Sequence, residues 1–168
     1  IVVLAHKDNM PHIALVSAKD CIIKSNPGLS GDGRDTITFS NTIPIQIHAA
    51  PENFSAQELC LMGATVRSMQ MSGALQSILK LATDYAQERV AFEKQISKFQ
   101  AVQHNLARLA GETAAAVCAA GSAADALQRA GCFDDDVFFE IASAKIRVGE
   151  AAGEVAGIAH QVHGAIGF

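Results

Sequence analysis

The sequence contains no tryptophan, a single tyrosine and few aromatic residues of any kind, 5% of its 168 residues. Charged residues are also few, at 18%, and the net charge is −4. Because nucleic-acid surfaces and anionic membranes both require clusters of lysine and arginine, we expect neither as a partner. Hydrophobic residues make up 49% of the chain, which is typical of a globular protein whose core is built from small side chains.

Closely spaced cysteines are absent as well. The chain has four cysteines that are far apart and form no CxxC pair, namely Cys21, Cys60, Cys118 and Cys132. Zinc and redox motifs need neighbouring thiols, so the pattern indicates buried, reduced cysteines in a cytoplasmic protein. His160 and His163 lie one turn apart without an acidic or cysteine partner, so we predict no metal site. The opening IVVLAHKDN is too short to cross a membrane and lacks the features of a signal peptide.

The first 50 residues have the pattern of β-structure. Short runs rich in valine, isoleucine and threonine alternate with turn-forming segments, and the runs are IVVLAH, HIALVSA, CIIKS, DTITFS and IPIQIH. Alternation within TITF and IPIQI predicts half-buried antiparallel strands. Since five such strands are too few for a comfortable closed barrel, we predict that residues 1–52 are the remnant of a larger β domain.

After Pro51 the hydrophobic period changes to that of helices. Ser55 with Glu58 forms a capping-box pattern, and a first helix is predicted from there to about Arg89. A second helix is predicted from Phe99 until Gly131, and a third after the aspartates 134–136. The predicted core positions are Met62, Val66, Met69, Met71, Leu75, Ile78, Ala82 and Tyr85, then Phe99, Val102, Leu106, Leu109, Thr113, Val117, Ala120, Ala124 and Leu127, then Val137, Ile141, Ala144, Val148, Ala151, Val155, Ile158 and Val162.

Three long helices with short connections predict an antiparallel up-down bundle over residues 53–168. The fold class is therefore mainly α, with short antiparallel strands in front of the bundle. Many alanines and glycines on the helix faces predict close helix approach. A four-helix bundle would need another helix, which either was lost or is provided by another chain. We therefore expect the bundle to associate into an oligomer.

Taken one at a time, the polar residues near the helix ends have ordinary explanations. Arg89 alone is typical of a surface arginine, and Gln100 of a solvated residue at a helix start. Gly164 and Gly167 beside Gln161 are typical of a helix C-terminus. Packing explains the apolar residues of this region but leaves the pairing of Arg89 with Phe92, and of Phe99 with Gln100, without a reason.

Taken together, these positions resemble a known family. YAQERVAFEKQISKFQAVQHNLARLA, followed by IASAKIRVGEAAGEVAGIAHQVHGAIGF, resembles the C-terminal part of the acyl-CoA dehydrogenases. The family pattern has Tyr-Ala, an arginine, Phe-Gly, and then a Phe/His-Gln pair that opens the next helix. It closes with a glutamine and paired glycines. The resemblance covers about residues 56–168, and the β part is similar to the end of the family's middle domain.

The resemblance implies that the chain binds FAD across a subunit interface. Arg89 matches the arginine that neutralises the diphosphate of a neighbouring subunit's FAD, a charge-assisted contact. Phe92 would pack beside that cofactor. Phe99 and Gln100 match the pair that contacts the ADP portion.

The same resemblance assigns the closing segment. Gln161 to Ala165 match a turn whose backbone lies along the adenosine part of the cofactor, with Gly164 allowing close approach. The implied reaction is α,β-desaturation of an acyl-CoA thioester, with hydride transfer to FAD and electrons leaving to an electron-transfer flavoprotein.

Several positions depart from the family pattern. Glu93 replaces the glycine after Phe92, and its carboxylate is unfavourable near phosphates unless it turns away or pairs with Lys94 or Lys98. Ala165 replaces the second closing glycine. Gly63 and Ala64 stand where some members have a catalytic glutamate and a substrate-side arginine. The catalytic residue is therefore unknown, because the more common glutamate follows the closing motif in the family.

Three hypotheses follow. The chain is part of a flavin-dependent acyl-CoA dehydrogenase, and by itself it neither desaturates acyl-CoA nor holds FAD tightly. Alternatively it belongs to a non-catalytic scaffold subunit of a mixed oligomer of that family. The third hypothesis is a helical interaction module without a cofactor.

Overall fold

The computed structural model describes residues 1–29, 31–131 and 133–164. It divides into two compact units, Ile1–Leu59 and the residues from Cys60 onward. These units reflect packing within the chain, and the domain boundary between residues 52 and 53 stays a prediction. No helix in the described part of the chain is both long and apolar enough to cross a membrane.

The first unit contains five short strands. They are Val2–Lys7 (β1), Met10–Leu15 (β2), Ile22–Lys24 (β3), Thr36–Thr38 (β4) and Gln46–Ala49 (β5), and each overlaps one of the five predicted runs. An antiparallel sheet has the order β1-β2-β5, and β3 pairs separately with β4. The turn between β1 and β2 is two residues long, Asp8 and Asn9, both with positive φ. Ala14 and Val16 are buried while Ile43 and Ile45 are exposed, so this unit buries little apolar surface by itself.

Three long helices form the second part of the fold, as predicted. They are Ala56–Glu88 (α1), Gln100–Ala130 (α2) and Asp135–His163 (α3), with 33, 31 and 29 residues. The order of contacts between α2 and α3 shows that the two are antiparallel, since Arg108 pairs with Glu154 and Ser122 with Glu140. The mainly α fold with an up-down arrangement is confirmed.

The predicted helix ends are also confirmed. Glu58 accepts hydrogen bonds from the Ser55 backbone N–H at 2.7 Å and from its hydroxyl at 2.5 Å. The hydrogen bond from the Ser55 hydroxyl is the main cause that holds the pKa of Glu58 below its usual value, and backbone hydrogen bonds add to it. Gly131 ends α2 with φ of +63°, and the Asp134 side chain accepts from the Val137 N–H at 2.9 Å to start α3.

The core lies mainly between α2 and α3. All eight core positions predicted for α3 are buried, and on α2 the buried residues are Leu109, Thr113, Ala116, Ala120 and Ala123. Cα atoms of the two helices come within 8 Å of each other along much of their length, whereas α1 packs at a greater distance. Alanine makes this close approach possible, because its side chain ends at Cβ.

The prediction for the first half of α1 was wrong. Met62, Val66 and Met69 are exposed by 42%, 54% and 51%. The buried side chains of this half are Thr65, Ser68 and Ser72, which donate hydrogen bonds to backbone carbonyls within the same helix. Because these short hydroxyl groups are satisfied locally, burying them costs little.

Two further expectations need correction. The helical glycines do not mediate close approach, since a Cβ at each would meet no atom within 4 Å; they are Gly63, Gly73, Gly111, Gly121, Gly149, Gly153 and Gly157. Cys60 and Cys118 are exposed rather than buried, because both fall on outward faces of their helices. Cys132 lies outside the described residues.

Candidate functional site

The break between α1 and α2 is a tight β-hairpin. Two strands of two residues, Val90–Ala91 (β6) and Lys94–Gln95 (β7), pair antiparallel. The Arg89 N–H donates to the Tyr85 carbonyl at 2.8 Å, and the Ile96 N–H donates to the Arg89 carbonyl at 2.9 Å. Arg89 therefore belongs both to the last turn of α1 and to the hairpin, which fixes its backbone. We call the four predicted residues on and next to this hairpin, Arg89, Phe92, Phe99 and Gln100, the hairpin site.

The turn of the hairpin site is strained. Its two central residues, Phe92 and Glu93, have φ of +51° and +64°. Such two-residue turns favour Asn-Gly or Asp-Gly, because residues with a Cβ pay roughly 1–2 kcal/mol in the left-handed region. Glu93 stands where the resemblance has glycine, and this backbone explains why glycine suits the position. Strain of this kind persists mainly at functional sites.

Two phenylalanines shape the surface of the hairpin site. The Phe92 side chain is 90% exposed. Its ring meets the half-buried Phe99 ring edge-on, with centroids 6.3 Å apart. The Lys94 ammonium lies 4.3 Å from the centre of the Phe99 ring. A large apolar ring held out on a strained turn is suited to contact another molecule.

Arg89 and Gln100 provide the polar part of the site. Arg89 is exposed, and within the described residues its guanidinium takes part in no ion pair. Gln100 is the first residue of α2, and the N-cap Phe99 makes no side-chain hydrogen bond there. The Phe99 carbonyl accepts from the N–H groups of Val102 and Gln103 at 3.0 Å, and the N–H groups of Gln100 and Ala101 have no acceptor in the described part of the chain. Those groups and the helix dipole favour an anion. The structure thus brings Arg89, Phe92, Phe99 and Gln100 together at one hairpin.

The closing segment lies at the end of α3. Gln161 is exposed and lines a groove of about 290 Å³ between α2 and α3, beside Asn105 and Arg108. Gly164 ends α3 with φ of +65°, and its N–H bonds the His160 carbonyl. Ala165 lies outside the described residues. Gln161 therefore faces a groove of its own and not the hairpin turn.

Tyr85 links the hairpin site to the end of α3. Its ring stacks on His163 with centroids 4.5 Å apart, and its hydroxyl donates to the His163 carbonyl at 3.4 Å. Sequence reasoning placed Tyr85 in the core and missed this role. The available signal was its rarity, since it is the chain's single tyrosine. Tyr85 thus connects α3 to the helix turn that carries Arg89.

Gly63 and Ala64, which stand where some family members have a catalytic glutamate and a substrate-side arginine, have no ionisable side chain. Gly63 is exposed, and Ala64 packs against the core cluster around Ile141. The Glu93 carboxylate forms no ion pair with Lys94 or Lys98 within the described residues. Groups of three or more histidine, cysteine or acidic side chains that could hold a metal are absent from that part of the chain.

The chain is similar to known proteins of one family. The sequence pattern of "Acyl-CoA dehydrogenase, C-terminal domain" matches residues 55–168. A 3-sulfinopropanoyl-CoA desulfinase from Paraburkholderia xenovorans (strain LB400) is 38% identical over 96 residues, which are 57% of this chain and 24% of that protein.

Solved structures share the fold. The ChsE4–ChsE5 complex from Mycobacterium tuberculosis matches 99% of this chain with a TM-score of 0.74 and 22% identity. PigA with FAD and proline matches 99% with a TM-score of 0.69 and 18% identity. The chain spans 45% and 46% of those chains, so it corresponds to less than half of each. On the strength of the match over residues 55–168, the chain belongs to the acyl-CoA dehydrogenase family.

Proposed function

We propose that this chain is the C-terminal part of an FAD-dependent acyl-CoA dehydrogenase that desaturates an acyl-CoA thioester between its α and β carbons. The observation that carries the proposal is the hairpin site, which joins an exposed arginine, an exposed phenylalanine and a helix start without a side-chain cap. A diphosphate attached to flat ring systems needs a cation, backbone donors and aromatic surface, and all three are present.

Each residue of the hairpin site has a specific role in this proposal. Arg89 binds the diphosphate of FAD, with its backbone fixed by hydrogen bonds at both ends. Phe92 packs beside the cofactor, and its ring is already positioned by Phe99. Gln100 and the free N–H groups of α2 contact the ADP portion. When bound, FAD supplies the acceptor for the hydride that leaves the β-carbon.

The closing segment would hold the adenosine end. Gln161 would offer its amide, and the backbone of Gly164 would approach the sugar and base; Ala165, assigned to the same turn, lies outside the described residues. This role draws on the family resemblance, and the left-handed φ of Gly164 is compatible with a close backbone approach. No residue of this chain is assigned as the catalytic base.

The cofactor contacted by the hairpin site would belong to a neighbouring subunit. Phe92 points outward, and the exposed surface of α3 includes the apolar residues Phe138, Phe139 and Ile146, exposed by 47%, 69% and 64%. Exposed apolar faces of this kind favour oligomers. A related structure of the same fold is a two-protein complex, which agrees with a homo- or hetero-oligomer formed through the helical bundle. Electron transfer to an electron-transfer flavoprotein would complete the reaction.

A non-catalytic scaffold subunit is the second candidate. The carboxylate of Glu93 on the turn beside Phe92 favours it, because a negative charge there opposes a diphosphate. A relative named as a desulfinase also acts on a CoA thioester, so activity assays should follow both desaturation and loss of a β-substituent. A cofactor-free helical module is the third candidate, and a flavin-free whole protein would support it.

Flavin fluorescence titration of the whole protein tests the proposal. Arg89→Ala should weaken FAD binding by about 1.5–3 kcal/mol, the usual contribution of a hydrogen bond to a charged group. Arg89→Lys should restore part of the affinity, since a point charge lacks the planar fork of arginine. Arg129→Ala, at the far end of α2, is the matched control and should bind FAD as the unsubstituted protein does. Equal affinity in the Arg89→Ala and Arg129→Ala proteins would remove the cofactor role of the hairpin site.

A further inference from the structure

We infer that Lys94 is a second phosphate-binding cation of the hairpin site, held in position by the ring of Phe99. The inference rests on the proposed function, because it assigns a further residue to the same FAD diphosphate. The carrying observation is the ammonium group of Lys94, 4.3 Å from the centre of the Phe99 ring. Lys94 is not among the residues proposed above for FAD binding.

The strand register and one backbone hydrogen bond relate Lys94 to Arg89. Ala91 is directly opposite Lys94 in the strand register, and the Ile96 N–H donates to the Arg89 carbonyl two positions further along. Side chains alternate between the two faces of a strand, and directly opposite residues share a face, so Ala91 and Lys94 lie on one face. Arg89 and Ile96 lie one residue beyond the two strands, and the same alternation carried to them would put both on that face. Diagonal neighbours such as Arg89 and Lys94 have β-carbons roughly 7–8 Å apart, within reach of a common ligand for two long side chains.

The ring of Phe99 holds Lys94 without neutralising it. An ion pair with Glu93 would cancel the charge, but the described residues contain no such pair. The face of an aromatic ring attracts the ammonium and restricts its positions while leaving the charge available to an anion. Each phosphate of a diphosphate is negative, and Arg89 alone supplies one cation. Lys94 supplies another cation. The Phe99 ring that it contacts also meets the Phe92 ring, with centroids 6.3 Å apart.

Lys98 is a natural control for this inference. It lies four residues further on, at the end of the 3-10 turn Ile96–Lys98, and is exposed like Lys94. No aromatic contact is present for Lys98 in the described part of the chain. Removing its charge changes the net charge of the protein by the same amount as removing that of Lys94. Comparison of the two therefore separates a placed cation from general electrostatic attraction.

The test is FAD titration of the whole protein at low and high salt. Lys94→Gln should weaken FAD binding about tenfold, equivalent to about 1.4 kcal/mol. It should also reduce the salt dependence of the affinity, because one cation–phosphate contact is lost. Lys94→Arg should keep most of the affinity, and Lys98→Gln should leave it unchanged. Thermal unfolding of Lys94→Gln should be unaltered, which distinguishes lost binding from a damaged hairpin.

The outcomes distinguish this inference from the proposed function. If Arg89→Ala weakens FAD binding and Lys94→Gln does not, the second cation is overturned and the proposed function stands. Equal weakening by Lys94→Gln and Lys98→Gln would also overturn it, since general charge would then explain both. If neither Arg89→Ala nor Lys94→Gln changes FAD binding, the cofactor site and the inference fail together.

Discussion

The chain contains two hairpins with the same turn geometry but different turn residues. Between β1 and β2, Asp8 and Asn9 have φ of +51° and +61°. Between β6 and β7, Phe92 and Glu93 have φ of +51° and +64°. Asparagine and aspartate tolerate the left-handed region well, whereas phenylalanine and glutamate do not. The first turn is therefore built from residues that suit its backbone, and the second from residues that do not.

This difference separates a structural turn from a candidate functional one. A two-residue turn that only joined α1 to α2 would be more stable with asparagine and glycine. Keeping Phe92 at a strained position, with its ring 90% exposed, makes sense if that ring contacts another molecule. The backbone strain at Phe92 is then explained by a binding role of its side chain.

Replacing the strained turn gives the largest expected change. The double substitution Phe92→Asn with Glu93→Gly should raise the free energy of unfolding by about 1–2 kcal/mol, because both residues then suit the left-handed region. FAD affinity should fall, since the exposed ring is lost. Urea unfolding and flavin titration measure the two effects. Glu93→Gly alone is the control: it should stabilise less and bind FAD at least as tightly as the unsubstituted protein, because the carboxylate that opposes the diphosphate is removed. A double variant no more stable than the unsubstituted protein would contradict the comparison.

The opposite substitution in the first hairpin should have a smaller effect. Asn9→Ala should lower the free energy of unfolding by about 1 kcal/mol, since alanine is strained at positive φ. FAD binding should not change. Asn105→Ala, within α2, is the matched control and should not destabilise, because alanine is the better helix former there. If the Asn9→Ala and unsubstituted proteins unfold with the same free energy in urea, the stability of this turn does not depend on the residue at position 9, and the comparison is contradicted.

Much of the fold was predictable from hydrophobic spacing. Helix α3 places all its predicted apolar positions in the core because it packs along much of its length against α2. For the first half of α1 the prediction is wrong, because it takes the larger apolar residues Met62 and Val66 to face inward, whereas both are exposed. The buried residues there, Thr65 and Ser68, are short and bond their own helix. Periodicity identifies a face but does not say which face meets a neighbour.

The candidate site was predictable only in part. The order of Arg89, Phe92, Phe99 and Gln100 identified the segment, and Glu93 was recognised as a departure. The hairpin itself was not predicted, since Phe-Glu lacks the turn signals that mark such a loop. The contacts of Lys94 with Phe99 and of Tyr85 with His163 depend on the folded backbone. They could not be derived from spacing.

The central claim is that FAD lies against the hairpin site, and tryptophan fluorescence tests it directly because this chain contains no tryptophan. Phe92→Trp puts a reporter on the turn, and Phe139→Trp puts one near the start of α3. These positions are separated by most of the length of α2, about 45 Å for its 31 residues. In the whole protein, FAD should quench the emission added by Phe92→Trp and leave that added by Phe139→Trp nearly unchanged. Equal quenching of the two, or none at Phe92→Trp under conditions where FAD is bound, would contradict the account.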